Sequence, residues 1–373
     1  MNSQSIGTSG TWVGRVHRAG VGPSLVKLVG NDLIDITSAD TPTMRDLLEG
    51  DDTVDCVARA KGIVLGCATN LPEDLTWLAP CDLQPVRACG VTFARSMVER
   101  VIEEQAGGDP AKAKGIRDRI GARIGKDLRD VVPGSEDALE VKRTLLAEGI
   151  WSQYLEVGIG PYAEVFSKAQ PLSAVGHEDR IGLHPDSTWN NPEPEVVLAV
   201  NSAGSIKGAT LGNDVNLRDI EGRSALLLPL AKDNNASCAI GPMIRLFDDD
   251  FNLASIEELQ LELTVEGEDG FRLHDRCPMS EISRSPAQLV AQTIGPHHQY
   301  PDGFMLFLGT LFAPTADRDV PGEGFTHKVG DRVTIECPEL GTLTNTVDLS
   351  TECPPWEFGT AALMRNLAAR GLI

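Results

Sequence analysis

Two glutamates stand two residues apart in Trp189-Asn190-Asn191-Pro192-Glu193-Pro194-Glu195-Val196-Val197-Leu198, at the entry to an apolar strand-type run. Alternation along a strand puts both carboxylates on one face. The prolines lack an N–H, which confines the pair to an edge or a strand start where side chains open onto a cleft. Taken alone, such a pair is more often a solvated strand face. A third acid, Asp214, ends the β-type run 208–213 at a strand-to-helix junction, where it could equally be an ordinary N-cap. Together Glu193, Glu195 and Asp214 offer hard oxygen ligands with positions left for water, which is the preference of Mg²⁺, with Mn²⁺ as the alternative. Lys232 follows an apolar helical stretch and precedes the small-residue loop Asp233-Asn234-Asn235-Ala236-Ser237. At a surface this lysine would be decoration; beside a metal it is the positive charge that receives a carboxylate or an enolate.

Composition explains why such a charge is needed. Lys and Arg number 33 against 54 Asp and Glu, a formal charge of −21. That field repels nucleic-acid phosphates and anionic membrane surfaces, so neither is an expected partner. It also repels an anionic substrate unless a metal or a lysine receives it. The eight cysteines (Cys56, Cys67, Cys81, Cys89, Cys238, Cys277, Cys337, Cys353) are scattered with no CxxC pair, the pattern of reduced thiols in a cytoplasmic protein. Residues 1–20 lack the basic and apolar regions of a leader, and no run approaches the roughly 18 apolar residues of a membrane span.

The elements that must position these groups read as a large unit preceded by a small one. Strand-type runs at 12–16 and 24–29 and a short helix at 44–48 predict a small N-terminal α+β domain over residues 1–82. An apolar run from Leu83 ends in Gly90-Val91-Thr92-Phe93-Ala94 and opens a catalytic unit over 83–373. Within it, 96–155 is charged and helix-periodic (Met97, Val101, Ile102; Ile116, Ile120, Ile124; Leu139, Leu145, Leu146), with breaks at Gly107-Gly108 and Pro133-Gly134. This predicts an insertion of three or four helices. It is either a lid that presents Arg117, Arg119, Arg123 and Lys126 to an anionic ligand, or a static layer. Strand-type runs then follow at 163–166, 195–200, 206–213, 240–247, 259–265, 304–308 and 332–337, interrupted by one helix at 218–231 and closed by another at 360–370. The expected class is α+β, a mixed β-roll or barrel and not a doubly wound sheet. No repeat, phosphate-cradling glycine loop or nucleophile elbow is present. His184, His274 and His327 fall among turn residues and read as solvated, and the adjacent His297 and His298 would point opposite ways on a strand.

In order and spacing these segments resemble the fumarylacetoacetate hydrolase family, in which an ExE pair, a later Asp and a Lys before a Gly-Pro strand form the metal and substrate site. Further matches are Gly90-Val91-Thr92-Phe93, where the family usually has Gly-x-Asn-Tyr, Glu164-Val165-Phe166-Ser167-Lys168, Gly309-Thr310 and Lys328-Val329-Gly330-Asp331-Arg332-Val333. The resemblance covers roughly residues 84–373. It implies the family's C-terminal β-roll, Thr310, Arg218 and Lys232 as substrate contacts, and a homodimer or homotetramer.

Departures from the family pattern refine this expectation. Hydrolases of the family carry a His-x-x-Glu dyad after the Gly-x-Asn-Tyr segment; counted from Gly90, the His position holds Ser96 and the Glu position Glu99. An unaided serine is no general base near neutral pH, which argues against carbon–carbon hydrolysis. The Gln that often follows the Asp motif is Glu221, and 91–93 offer no acid to a metal. Gly90 to Ala94, Trp151 to Glu156, Trp189 to Glu195, Lys232 to Ser237 and His298 to Gly303 resemble the family's 2-keto-3-deoxypentonate dehydratases. That implies a small 2-keto acid substrate, 2-keto-3-deoxy-D-xylonate (also called arabinonate), dehydrated to 2,5-dioxopentanoate in non-phosphorylative pentose breakdown. Lys232 is then expected as stabiliser or base, and Glu99 with Ser96 as the acid/base pair. The alternatives are an acylpyruvate or 2,4-diketo acid hydrolase and a non-catalytic metal-stabilised module.

Overall fold

The computed structural model describes residues 9–116, 131–149, 151–311, 314 and 316–373. Ile120, Ile124, Arg117, Arg119, Arg123 and Lys126 of the expected insertion lie outside the described residues, as do the first eight residues. The strands, in chain order, are β1 (Trp12–Arg18), β2 (Gly22–Val29), β3 (Asp32–Asp35), β4 (Ile63–Cys67), β5 (Leu75–Leu78), β6 (Val86–Gly90), β7 (Glu164–Ala169), β8 (Arg180–Leu183), β9 (Asn190–Asn191), β10 (Pro194–Val200), β11 (Ile206–Asp214), β12 (Asn216–Leu217), β13 (Cys238–Leu246), β14 (Gln260–Glu266), β15 (Arg272–Pro278), β16 (Phe304–Phe307), β17 (Arg332–Cys337) and β18 (Gly341–Leu349).

Eleven of these form one sheet in the order β4-β3-β2-β1-β13-β11-β10-β16-β6-β7, with β5 paired to β1. A five-stranded sheet, β15-β14-β17-β18-β8, packs over it, and β9 and β12 make a small ribbon. Most pairings are antiparallel, but β16 with β6 and β18 with β8 are parallel. The architecture is therefore the expected α+β mixture, built as open mixed sheets and not as a closed barrel. β10, β11 and β13 are buried on both faces: Val196, Leu198 and Leu211 join one core with side chains of β14, β17 and β18, and Val197, Ala199 and Ile240 join another with Val13 and Leu25. The N-terminal strands enter the same sheet through β1, where Val13 pairs with Ile244.

Four described helices fall in the insertion region: Ala94–Ala106, Pro110–Ile116, Glu136–Ala147 and Gln153–Ile159. The first ends at Gly107, whose φ of 63° is the left-handed cap that a glycine supplies at least cost. It buries Met97, Val101 and Ile102, yet carries a polar stripe, Ser96, Glu99, Arg100 and Glu103, at i, i+3, i+4 and i+7.

Three expectations need correction. The single helix expected over 218–231 is broken into Arg218–Glu221, a 3-10 turn Ala225–Leu227 and Leu228–Lys232. Gly222 ends the first piece, and the Ser224 hydroxyl, accepting from Leu226 N–H at 3.2 Å, starts the next. Two further helices, Leu253–Glu258 and Pro286–Thr293, interrupt the C-terminal strands, and each opens on a capping box, Asn252 with Ser255 and Ser285 with Gln288. His327 is buried, with Nδ1 3.1 Å from the Asp331 carboxylate that Arg318 also holds. No helix among the described residues is long and apolar enough to cross a membrane.

Candidate active site

Glu193 sits in the joint between β9 and β10, and Pro194 begins β10, a position where its missing N–H breaks no ladder bond. Adjacent β11 ends on Asp214, whose N–H donates to Glu193 O at 3.0 Å, while Asn213 Oδ1 accepts from Glu193 N–H at 3.1 Å. Glu195, two residues along β10, faces the same side. The result is three buried carboxylates, Glu193, Glu195 and Asp214, each offering an oxygen within 4.8 Å of the others.

Cations answer two of the three. Lys232, at the end of its short helix, places Nζ 2.6 Å from Glu193 Oε2 and 3.1 Å from Asp214 Oδ2. Lys168 of β7 lies 2.8 Å from Asp214 Oδ1, and Arg100 bonds the other oxygen of Glu193. Arg100 also reaches Glu103 at 2.6 Å and Glu221 at 3.2 Å. Glu103 in turn pairs with Arg218 at 2.7 Å, and Arg218 with Glu99 at 3.4 Å. The Arg218 guanidinium stacks 4.3 Å from the centre of the Trp189 ring. Burial pushes the Glu193 carboxyl up, but Arg100, Lys232 and hydrogen bonds from Lys232 and Thr310 outweigh it and hold it at about 2. Burial likewise opposes the Lys232 charge, but Asp214, Glu193 and Glu221 keep the ammonium well above the usual lysine range.

Glu195 is different. It is 0% exposed and forms no ion pair among the described residues; Gly309 N–H donates to one oxygen at 2.7 Å and the Thr310 hydroxyl to the other at 3.1 Å. Burial, then the like charges of Asp214 and Glu193, push its carboxyl well above the usual range. A buried carboxylate without a cation, oriented by two donors and converging with two others, fits a divalent cation at this point.

Beside the triad a pocket is walled by Gly90, Val91, Ser96, Arg100, Glu164, Phe166, Glu221, Lys232 and Thr310, together with Glu193 and Asp214. Glu164, Phe166 and Lys168 alternate along β7, so one strand face supplies an acid, an apolar wall and the Asp214 counter-ion. Burial, followed by the Glu221 charge, raises the Glu164 carboxyl to about 7, although Lys232 and Arg100 pull the other way. Burial also raises Glu221.

Of the residues singled out from the sequence, Glu193, Glu195, Asp214, Lys232, Ser96 and Thr310 meet around this pocket. Ser96 donates to Phe93 O at 2.9 Å. Glu99 and Arg218 face each other outside the pocket lining. Arg100 is absent from the sequence reading, while Glu164 enters it only inside a family-matching segment and Glu221 only at the position of the family's Gln, yet all three form much of the wall. The signal for Arg100 was the polar stripe on the Ala94–Ala106 helix, and that for Glu164 the alternation Glu164, Phe166, Lys168.

Residues 160–348 match the family model for the C-terminal part of fumarylacetoacetate (FAA) hydrolase, which is half of the chain. The chain belongs to the fumarylacetoacetate hydrolase family. Among curated relatives, a probable 2-keto-3-deoxyxylonate dehydratase of Haloferax volcanii is 35% identical over 194 residues, 52% of this chain and 63% of that protein. A 2-dehydro-3-deoxy-D-arabinonate dehydratase of Saccharolobus solfataricus is 33% identical over 184 residues, 49% of this chain and 58% of that one. The chain thus spans about three fifths of the length of these relatives. Among solved structures, a 2-keto-3-deoxy-D-arabinonate dehydratase complexed with magnesium and 2,5-dioxopentanoate superposes with a TM-score of 0.60 at 22% identity, covering 91% of this chain and 99% of that one. A fumarylacetoacetate hydrolase of Exiguobacterium antarcticum gives 0.58 at 17% identity, covering 91% and 100%. These structural likenesses bear on the fold.

Proposed function

We propose that the protein is a Mg²⁺-dependent hydro-lyase that converts 2-keto-3-deoxy-D-pentonate to 2,5-dioxopentanoate, with Glu193, Glu195 and Asp214 holding the metal. The observation that carries this reading is the meeting of the Glu193, Glu195 and Asp214 carboxylates with Lys232 and Glu164 around one pocket that has no histidine among its described lining residues. Such a site exchanges a proton with carbon at neutral pH without generating a hydrolytic hydroxide from an imidazole. The dehydratase relatives support the substrate class.

A bound divalent cation would supply Lewis-acid polarisation of the substrate's C2 carbonyl. The chain's own residues do the rest. Lys232, held charged at the pocket edge, steadies negative charge that develops on the C2 oxygen. Glu164 as carboxylate takes a proton from C3 and, as acid, delivers a proton to the C4 hydroxyl, which departs as water. A proton then moves from C5 to C3, and tautomerisation leaves an aldehyde at C5. Ser96 lines the same pocket. We assign the acid/base work to Glu164 and not to Glu99, because Arg218 engages Glu99 outside the pocket. Thr310 acts by fixing Glu195, and Arg218 by fixing Glu103.

A cytoplasmic location, supported by eight free cysteines, and assembly as a homodimer or homotetramer belong to the same reading. Light scattering that finds a 40.0 kDa particle at micromolar concentration would remove the oligomer. The deciding experiment is product identification after incubation with 2-keto-3-deoxypentonate and Mg²⁺. Cleavage of a 2,4-diketo acid with the pentonate left intact would make the protein a hydrolase instead.

A further inference from the structure

The Arg100 guanidinium is gripped by Glu193, Glu103 and Glu221, is 6% exposed, and faces the pocket together with Lys232 and Thr310. Only Glu193 among its partners belongs to the ligand set. Glu193 already has a counter-ion in Lys232 on its other oxygen, so charge balance alone does not require an arginine there. Arginine keeps its proton under all ordinary conditions, so at this distance it competes with a divalent cation for the Glu193 carboxylate. A group that opposes the metal at one of its own ligands needs a function that outweighs that cost.

The geometry points to Arg100 as a second receptor for the carboxylate of the 2-keto acid, released to bind it once a divalent cation takes up Glu193. The inference rests on the reading of Glu193, Glu195 and Asp214 as a metal site. Glu103 and Glu221 hold Nη1, so the guanidinium stays in place when the bond from Nη2 to Glu193 is withdrawn, and Nη2 is left to donate a charge-assisted hydrogen bond to a carboxylate. Metal binding and substrate binding are thereby coupled: the cation frees the arginine that completes the anion site. Two effects of opposite sign follow. Removing the charge at position 100 relieves the competition, so Mg²⁺ binds more tightly. The same change removes an anchor, so the keto acid binds more weakly. A residue that merely braces the pocket would weaken both.

Titration calorimetry on the full chain tests this, first with Mg²⁺ alone on metal-stripped protein and then with pyruvate at saturating Mg²⁺. The wild-type chain is expected to take up pyruvate in Mg²⁺ and not in EDTA. In Arg100→Gln, Mg²⁺ is expected to bind more tightly while pyruvate binding weakens by about tenfold, the scale of one charge-assisted contact. Arg100→Lys keeps the charge but has one nitrogen in place of the separate Nη1 and Nη2, so its Mg²⁺ affinity stays close to wild type and its pyruvate affinity falls by less. Arg100→Gln binding pyruvate as the wild type does, or losing both affinities together, overturns the inference. If that variant does not fold, wild-type pyruvate affinity in Arg100→Lys overturns it. A wild-type chain that binds no Mg²⁺ removes the metal reading itself, and is told apart from the other outcomes by the first titration.

Discussion

Glu164 occupies the space that a side chain on Gly90 would need. The two face each other across the β6–β7 pair, and a Cβ built on Gly90 runs into the Glu164 carboxylate. Gly90→Ala must therefore push the Glu164 carboxylate, the far end of a flexible side chain, off its position at small cost to stability. The expected outcome is a folded protein with turnover reduced by about tenfold or more, because a displaced acid/base loses most of its general-catalysis contribution. Melting temperature and kcat measured together check it; full turnover would separate Glu164 from the chemistry.

With Glu164 as the base, its raised carboxyl is expected to set the acid side of the pH profile. A base works in its deprotonated form, so activity is present above the carboxyl's pKa and is lost as pH falls through it. For the metal-free site that point is about 7, and a nearby cation moves it lower. kcat/KM is expected to rise with pH along a limb at or below that value. Glu164→Gln should remove this limb along with most of the activity, and an unchanged limb in the variant would assign the titration to another group.

Thr310 reaches the site through Glu195. Its hydroxyl donates to Glu195 Oε1 at 3.1 Å, and Thr310→Val keeps the shape while deleting that bond. Loss of a partner that orients a metal ligand typically costs roughly 10–100-fold in metal affinity. A Mg²⁺ titration followed by calorimetry should register a fall on that scale. If Mg²⁺ affinity holds and only the KM for substrate rises, Thr310 is a substrate contact first.

Lys168 is fully buried and forms an ion pair with Asp214 Oδ1 at 2.8 Å, while its ammonium donates to Val215 O at 3.2 Å and to Lys232 O. Lys168→Met takes a cation away from Asp214 without replacing it, a change expected to cost about 3 kcal/mol or more. Saturating Mg²⁺ should recover part of the loss by supplying charge at the same carboxylate. Melting curves with and without Mg²⁺ decide, and a variant as stable as the parent in EDTA would argue that Lys232 alone neutralises Asp214.

The carboxylate triad was legible because its signal is local. Glu193 and Glu195 share a strand face by spacing alone, and Asp214 and Lys232 each mark the end of an element. The carboxylate at 164 lay inside a strand that was read correctly in outline, but its role depends on β7 lying beside β6 at the sheet edge, a pairing between segments separated by more than seventy residues. Arg100 is the residue after Glu99, and the count from Gly90 stopped one position short of it. The helical stripe Ser96, Glu99, Arg100, Glu103 held the clue, since a run of polar side chains among buried apolar ones needs buried partners. Those partners, Glu193, Glu221 and Arg218, come from elements brought together only by the fold. The expected helix over 218–231 breaks at Gly222, and the apolar run 225–231 does not show that break; the burial of His327 was not legible because turn composition says nothing about depth.

Lys232, Lys168 and Arg100 also bear on the order of events after synthesis. They stand in for the cation at Glu193 and Asp214, and Glu195 can keep its proton until a metal arrives. The chain is thus expected to reach its native state as apoprotein and to be loaded afterwards, unlike small zinc domains whose folding waits for the ion. A pool of finished but idle molecules would then respond to the free Mg²⁺ level within the time of ligand exchange, with no new protein made. Exhaustive chelation should leave the melting transition cooperative and near its original temperature, and re-addition of Mg²⁺ should return activity without refolding.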